Sequence, residues 1–268
     1  MSASSYSRKM ADGVEYAEAG SGSDLTPVLL LHGMMGDISN WELTIPAVAD
    51  AGFRIICPVL PVYSIPVRQA NLGGLVRFVH SFVESIDLDR VVVVGNSLGG
   101  HIAALYAMEH PERVEAMVLT GASGIYEVEM SSSIMRRKDR DYLRERVEKT
   151  FYDPKHCTEE LLDDVIDIIN DREKAVRLIR FARSVQRGSI KEEIRDISAP
   201  TLLVWGKQDE ITPPEVAHTF EERIPNSELK WIDLCGHAPM MERPAEFNRI
   251  LIDFLHRTIG VPSQALAS

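Results

Sequence analysis

Residues 91–100 read Val-Val-Val-Val-Gly-Asn-Ser-Leu-Gly-Gly. Four consecutive valines that end at a glycine predict a short strand buried on both faces, which is typical of a parallel sheet. The Ile-Ala-Ala-Leu at residues 102–105 predicts a helix, so the Gly-x-Ser-x-Gly pattern falls on a strand-to-helix turn. Ser97 is therefore expected in a strained conformation above the carboxyl edge of the sheet. Gly95 and Gly99 allow the turn to close because they lack a Cβ atom.

Similar strand patterns recur along the chain and define the fold class. Short aliphatic runs bounded by turn residues predict five more strands, at residues 27–31, 53–57, 116–119, 201–205 and 229–234. The last run alternates more than the others, which favours a position near a sheet edge. Between the strands, apolar residues recur every three or four positions, which predicts amphipathic helices. Strands that alternate with helices predict an α/β protein with a predominantly parallel sheet covered on both faces.

The stretch from residue 125 to residue 199 interrupts this alternation. It shows only helical patterning, and it is nearly neutral, with 16 Lys and Arg against 17 Asp and Glu. We therefore predict a core made of residues 1–124 and 200–268, with an all-helical insertion at 125–199 that folds over the sheet. The basic run at 136–138 is followed by Asp139 and Asp141, which favours a solvated helix face over a phosphate site.

Composition narrows the possible partners and location. The 268 residues carry a net charge of −11, which disfavours binding to nucleic acid or to anionic membranes. Three widely spaced cysteines indicate neither a disulfide framework nor a zinc site. The first ten residues lack the apolar core of a signal peptide, and no apolar run approaches the length of a membrane span. We expect a soluble cytoplasmic protein without a metal ion. The sequence does not define the oligomeric state, and it allows a homo-oligomer.

A serine hydroxyl needs a base to act as a nucleophile, and the base needs an orienting group. Asp209 follows the strand predicted at 201–205, and His237 follows the one predicted at 229–234. The order Ser97, Asp209, His237 is the one expected for a serine on this kind of turn. Taken alone, the aspartate could be an ordinary turn residue and the histidine a neighbour of a helix N-cap. Their joint placement at strand ends favours a catalytic role.

Other candidates for these roles are weaker. Glu210 lies one position further into its loop than Asp209, and residues 120–124 after the preceding strand contain no carboxylate. Six further histidines lie in helical stretches or in the insertion, which favours packing or surface roles. His32 begins the sequence His-Gly-Met-Met-Gly at 32–36. A backbone N–H of this loop, that of Met34, is expected to join that of Leu98 in binding an oxyanion.

With these features the chain resembles the α/β-hydrolase family, from about residue 14 to residue 259. The matching features are His32-Gly33, Trp41, the segment 95–100, Trp205 to Asp209, Pro213 and Gly236-His237. The resemblance implies an α/β-hydrolase fold, a Ser–His–Asp triad, no cofactor, and a role for the helical stretch as a cap. The segment Pro58 to Pro66 departs from a Pro-Asp-x-x-Gly-x-Gly-x-Ser pattern that many relatives carry. This departure indicates a differently shaped loop at the mouth of the site.

Three functions follow from these residues, the first of them favoured. The first is a serine hydrolase that cleaves an ester or related acyl bond of a small, largely apolar substrate through an acyl-enzyme. The second is a carbon–carbon bond hydrolase that resembles those acting on meta-cleavage products. Asn96 is shared with that group, but Ala238 stands where those enzymes usually carry Trp. The third is a binding protein without catalysis, which a complete triad disfavours.

Substrate contacts are harder to predict than the triad, because helical periodicity does not show which side chains face a pocket. The candidates are Met35, Asn96, Tyr126 and Met240, with Met130, Met135 and Met241 as further apolar candidates. Arginines that could meet a substrate carboxylate are Arg136, Arg177, Arg180 and Arg183. For each apolar candidate, core packing is at least as good an interpretation, and the helical spacing of the arginines favours surface positions.

Overall fold

The computed structural model describes residues 6–20, 24–126 and 139–260. An eight-stranded sheet in the order β1-β2-β4-β3-β5-β6-β7-β8 forms the centre of the molecule. Its strands are β1 Ser7–Ala11, β2 Val14–Ala19, β3 Val28–Leu31, β4 Ile55–Pro58, β5 Val91–Asn96, β6 Val114–Thr120, β7 Thr201–Gly206 and β8 Ser227–Ile232. The six strands from β4 across the sheet to β8 pair in parallel with their neighbours. The pairs β1–β2 and β2–β4 are antiparallel.

The six strands expected from the sequence are all present, and β8 lies at an edge as predicted. The sequence analysis missed β1 and β2, which form a hairpin at the opposite edge. They are joined by Asp12 and Gly13, both with positive φ (46° and 79°), as a type I′ hairpin turn requires. Both edges carry charged side chains, namely Arg8 and Lys9 on β1 and Glu228 and Lys230 on β8, and all four are in ion pairs.

The helices among the described residues are α1 Thr44–Asp50, α2 Leu72–Ser85, α3 Leu98–Glu109, α4 Arg140–Glu148, α5 Glu159–Asn170, α6 Arg172–Arg187, α7 Pro214–Arg223, α8 Pro239–Glu242 and α9 Pro244–Ile259. Alternate residues of the central strands point to opposite faces of the sheet. Leu29 and Leu31 of β3 pack in the core that contains α2, α3 and α7. Val28 and Leu30 pack in the core that contains α1 and α9. The sheet is therefore covered on both faces, which confirms the predicted α/β-hydrolase fold.

The helices α4, α5 and α6 lie between β6 and β7, and we call the described residues 139–199 the helical insertion. Each helix begins at a side-chain N-cap: Asp139, Thr158 and Asp171 accept hydrogen bonds from backbone N–H groups of the first turn. The insertion has a small apolar cluster of its own, against which Met34 and Met35 of the loop after β3 pack. Its status as a separate domain stays a prediction.

Within the described ranges, none of the helices combines the length and apolar character that crossing a bilayer requires.

Candidate active site

Ser97 lies on the sharp turn between β5 and α3, where the sequence places it. Its backbone has φ 55° and ψ −119°, a positive φ that is uncommon for a residue with a side chain. A Cβ atom on Gly95 would overlap the carbonyl oxygen of Gly99, and one on Gly99 would overlap that of Leu31. The two glycines therefore let strand and helix approach closely enough to hold the serine in this strained conformation.

The strained turn is braced by the loop after β6. The N–H of Ser97 donates to the carbonyl oxygen of Thr120 at 3.1 Å, and the carbonyl oxygen of Ser97 accepts from the N–H of Ser123 at 3.2 Å. These two bonds tie the serine to the neighbouring strand end. They supply part of the stabilisation that a strained backbone conformation requires.

Asp209 and His237 follow β7 and β8, and their side chains meet. The Nδ1 atom of His237 lies 2.9 Å from Oδ2 of Asp209, and both side chains are buried. Since the carboxylate can only accept, Nδ1 carries the proton, and Nε2 is left with its lone pair. An imidazole in this tautomer can take a proton from a hydroxyl through Nε2.

The buried carboxylate of Asp209 is well supplied with donors. Its Oδ1 accepts from the N–H groups of Ile211 (2.8 Å) and Thr212 (2.9 Å). Its Oδ2 accepts from the hydroxyl of Thr212 at 2.9 Å, and that hydroxyl oxygen also lies 3.2 Å from Nδ1 of His237. Hydrogen bonds of this kind compensate a carboxylate for the water it loses on burial.

Asn96 and Gly121 lie against the loop after β8, residues 233–238, which we call the histidine loop. The Nδ2 group of Asn96, the residue before Ser97, donates to the carbonyl oxygens of Thr120 (3.1 Å) and His237 (3.0 Å). Gly121, directly after β6, lies so close that a Cβ atom there would stand 2.8 Å from Nδ1 of His237. The segments after β5, β6, β7 and β8 therefore converge at the carboxyl edge of the sheet, as the parallel arrangement dictates.

The loop after β3 lies beside the serine. A Cβ atom on Gly33 would be 3.5 Å from Cβ of Ser97. The carbonyl oxygen of Gly33 accepts from Nδ1 of His32 at 2.8 Å and from the N–H of Gly36 at 3.2 Å. In a planar trans peptide the N–H points opposite to the C=O. The N–H of Met34, in the same peptide as that carbonyl, is therefore held in a fixed direction.

His32 is a neutral bracing residue. Its Nε2 accepts from the N–H of Leu60 at 2.9 Å, so the ring proton is on Nδ1, which donates to Gly33. Complete burial lowers the pKa of this imidazole. Its hydrogen bonds join the loop after β3 to the loop after β4. Leu98 is the first residue of α3, and its N–H therefore has no acceptor within the helix. The oxyanion role of Met34 and Leu98 stays a prediction.

The predicted substrate-contact residues have varied surroundings. Met35 is half-buried against the cluster of the insertion, and Tyr126 is 60% exposed. Met240 is only 1% exposed and packs in the core on the α9 side of the sheet. This position agrees with the interpretation of Met240 as a core residue. Asn96 uses both amide hydrogens on backbone carbonyls. Met130, Met135, Arg136 and the basic run 136–138 lie outside the described residues.

The other candidates are placed away from the histidine–aspartate pair. Glu210 forms a surface ion pair with Lys149 at 3.4 Å. Arg177 donates to the carbonyl oxygen of Ile65 at 2.8 Å. Arg180 and Arg183 line a cavity of about 700 Å³ whose lining includes none of Ser97, Asp209 and His237.

Sequence reasoning missed several residues that shape this site. Tyr63 belongs to the unusual segment after β4, and its hydroxyl donates to the carbonyl oxygen of Met34 at 2.8 Å. Thr212 stands three residues after Asp209, and at this spacing an aspartate side chain commonly accepts a hydrogen bond from a backbone N–H. The contact of the Thr212 N–H with Asp209 was therefore predictable from the sequence. The contact of Gly121 with His237 had no such local signal, because it joins two distant segments.

Comparison with known proteins agrees with the fold described above. Residues 28–250 match the model of the family described as the alpha/beta hydrolase family. A 2-hydroxy-6-oxo-6-phenylhexa-2,4-dienoate hydrolase from Comamonas testosteroni is 30% identical over 91% of each chain. Among solved structures, an alpha/beta hydrolase from a sediment metagenome of the lagoon of Mar Chica, Morocco, is 34% identical with a TM-score of 0.77, covering 94% of this chain and 98% of its own. A meta-cleavage product hydrolase from Pseudomonas fluorescens is 25% identical with a TM-score of 0.79, covering 94% and 97%. The chain belongs to the alpha/beta hydrolase family.

Proposed function

We propose that this protein is a serine hydrolase that cleaves an ester or related acyl bond of a small, largely apolar substrate. The observation that carries the proposal is the 2.9 Å contact between His237 Nδ1 and Asp209 Oδ2, at the sheet edge where Ser97 stands on a strained turn. Ser97 attacks the carbonyl carbon, while Nε2 of His237 takes the hydroxyl proton and then gives it to the leaving group. Asp209 holds the tautomer and stabilises the imidazolium. Water, activated by the same histidine, then cleaves the acyl-enzyme.

The tetrahedral intermediates carry a negative oxygen that needs donors. We assign these donors to the N–H groups of Met34 and Leu98. The direction of the first is supported by the two hydrogen bonds on the Gly33 carbonyl (2.8 and 3.2 Å). The second lies at the N-terminus of α3, where the helix dipole favours a developing anion. No cofactor enters this mechanism.

The helical insertion is proposed to act as a cap that limits the size and polarity of the substrate. Its apolar cluster packs against Met34 and Met35, next to the proposed oxyanion loop. Methionine side chains adapt their shape to varied apolar groups. A small apolar acyl or alcohol group fits such surroundings better than a charged one.

A second candidate is the hydrolysis of a carbon–carbon bond in a meta-cleavage product. The relative from Comamonas testosteroni, named as a hydrolase of 2-hydroxy-6-oxo-6-phenylhexa-2,4-dienoate, favours it. Such a substrate carries a carboxylate. However, Arg177 is engaged with a backbone carbonyl, and Arg180 and Arg183 line a cavity apart from the triad. Ala238, which replaces the usual Trp, also favours the ester substrate.

The test compares wild type with Ser97→Ala on p-nitrophenyl esters from acetate to octanoate and on 2-hydroxy-6-oxo-6-phenylhexa-2,4-dienoate. Ester turnover with an acylation burst in wild type, abolished by Ser97→Ala, is the expected result. Preferred turnover of the dienoate, also lost in Ser97→Ala, would establish the second candidate. If folded wild type turns over neither the esters nor the dienoate, and Ser97→Ala binds these compounds as wild type does, the result would indicate a binding protein.

A further inference from the structure

Glu242, the last residue of α8, is a buried carboxylate placed between the histidine loop and the helical insertion. It is only 5% exposed. Its Oε2 accepts from the N–H groups of Gly236 (2.7 Å) and Tyr152 (3.1 Å), and its Oε1 accepts from that of Asp153 (2.7 Å). One side chain therefore binds the backbone of two segments that are about 80 residues apart in the chain.

A carboxylate in this position needs compensation for its lost hydration. Within the part of the chain that the structure describes, Glu242 forms no ion pair; its carboxylate is compensated mainly by three backbone N–H groups, with the buried thiol of Cys235 as a further neighbour. Charge-assisted hydrogen bonds of this kind are about twice as strong as neutral ones. Removing the carboxylate would leave three N–H donors unpaired at the junction.

The junction held by Glu242 includes the proposed base itself. The N–H of His237 donates to the carbonyl oxygen of Thr150 in the insertion at 2.8 Å. A Cβ atom on Gly236 would stand 2.7 Å from that same oxygen and 2.9 Å from Cα of Phe151. The histidine loop therefore lies directly on the turn at 150–153, with no room for a side chain between them.

We infer that Glu242 is a positioning residue, which fixes His237 relative to Ser97 by holding the histidine loop against the turn at 150–153. The inference rests on the proposed role of His237 as the base. A catalytic group displaced by about 1 Å costs about 10²-fold in rate. Glu242 touches neither Ser97 nor the imidazole, so its loss is expected to lower the rate of chemistry and to leave substrate binding nearly intact.

The experiment measures Glu242→Gln, which preserves the size of the side chain but replaces one acceptor oxygen by a donor. The readouts are the rate of Ser97 labelling by a fluorophosphonate and the kcat and KM for p-nitrophenyl acetate. We expect the labelling rate and kcat to fall about 10- to 100-fold, with KM changed less than about threefold. Glu210→Gln is the matched control, because it removes the exposed contact of Glu210 with Lys149 of the insertion. The labelling rate of this control is expected to equal that of wild type.

Hydrogen exchange separates a local from a global effect. The amides at 150–153 and 236–237 should exchange faster in Glu242→Gln, while those of β5 keep their wild-type protection. A folded Glu242→Gln that is labelled at the wild-type rate overturns the inference. If this variant does not fold, Glu242→Asp keeps the charge on a side chain one methylene shorter. Its labelling rate should be intermediate, and a wild-type rate would again overturn the inference. Folded wild type that is never labelled would instead refute the proposed triad.

Discussion

Gly121 lies directly against the imidazole of His237, although the two residues follow different strands. A Cβ atom on Gly121 would stand 2.8 Å from both Nδ1 and the carbonyl oxygen of His237 and 3.0 Å from Cε1. With a φ of 52°, Gly121 also adopts a conformation that side chains disfavour. The position next to the proposed base is therefore restricted to glycine for two separate reasons.

Gly121→Ala is expected to displace the imidazole and lower kcat at least about tenfold, while destabilising the protein by about 1–3 kcal/mol. Gly13→Ala is the control: its φ of 79° is equally unfavourable, but nothing lies within 4 Å of the added Cβ atom. The control should lose a similar share of stability from backbone strain and keep its kcat. Steady-state kinetics and urea unfolding of both variants measure these effects. Equal kcat values for Gly121→Ala and wild type would contradict the close contact.

Thr212 is expected to support the histidine–aspartate pair through its hydroxyl group. Thr212→Val removes the donor to Asp209 Oδ2 but keeps the size of the side chain and the backbone N–H bond. Leaving a buried acceptor under-satisfied costs about 1–3 kcal/mol. We expect this loss in urea unfolding, together with a kcat lowered by about tenfold. Thr212→Ser, which keeps the hydroxyl, should stay within about threefold of wild type, and a Val variant as active as the Ser variant would argue against this role.

His32 is expected to affect catalysis without touching substrate, because it orients the Gly33–Met34 peptide. His32→Ala removes the donor on the Gly33 carbonyl and the acceptor of the Leu60 N–H. Loss of one oxyanion donor costs about 10²–10³-fold in kcat in other hydrolases, so a weakened donor should cost about 10- to 100-fold. The measurement is kcat on a p-nitrophenyl ester, with the exposed His218→Gln as control. A change confined to KM would show that the Met34 N–H is not an oxyanion donor.

His101 is expected to make stability depend on pH. It is fully buried on α3, against Gly124 and Gly188, and burial lowers the pKa of its imidazole to about 4. The unfolded chain has the higher pKa of about 6.5, so it binds the proton first as the pH falls. The unfolding free energy therefore falls progressively as the pH drops from 6.5 to 4, and below pH 4 this group changes it no further. The difference in pKa corresponds to about 3 kcal/mol.

Urea unfolding of wild type and His101→Leu from pH 4 to 7.5 measures this effect. Between pH 4 and 6.5 the unfolding free energy of the Leu variant should change by about 3 kcal/mol less than that of wild type. Some pH dependence should persist, because burial also lowers the pKa of His32. Parallel curves for the two proteins would refute the contribution of His101.

The sequence predicted the parallel part of the sheet because its strands are buried on both faces and appear as continuous aliphatic runs, such as residues 91–94. The hairpin of β1 and β2 was missed because β1 is largely exposed and its residues are mixed in polarity. The Asp12-Gly13 pair between two alternating segments was a usable signal for it. Local patterns thus predict buried elements better than exposed ones.

The same distinction applies to the site. The placement of Ser97, Asp209 and His237 at one edge was predictable because each follows a recognisable strand, and parallel strands bring their ends to one edge. Gly121 and Glu242 were not, because their roles depend on contacts between segments far apart in the chain. The hydrogen bonds from the Asn96 side-chain amide to two backbone carbonyls were also not predicted. The position of Asn96 directly before the serine favoured a substrate contact instead.

The charged edge strands affect how copies of this chain can meet. A sheet edge with free backbone groups can pair with the edge of another molecule and start aggregation. Here β1 carries Arg8 and Lys9, and β8 carries Glu228 and Lys230, all in ion pairs with neighbouring side chains. Pairing another strand onto either edge would disturb those ion pairs and confine charged side chains between the two strands. The arrangement therefore disfavours edge-to-edge pairing between copies of this chain.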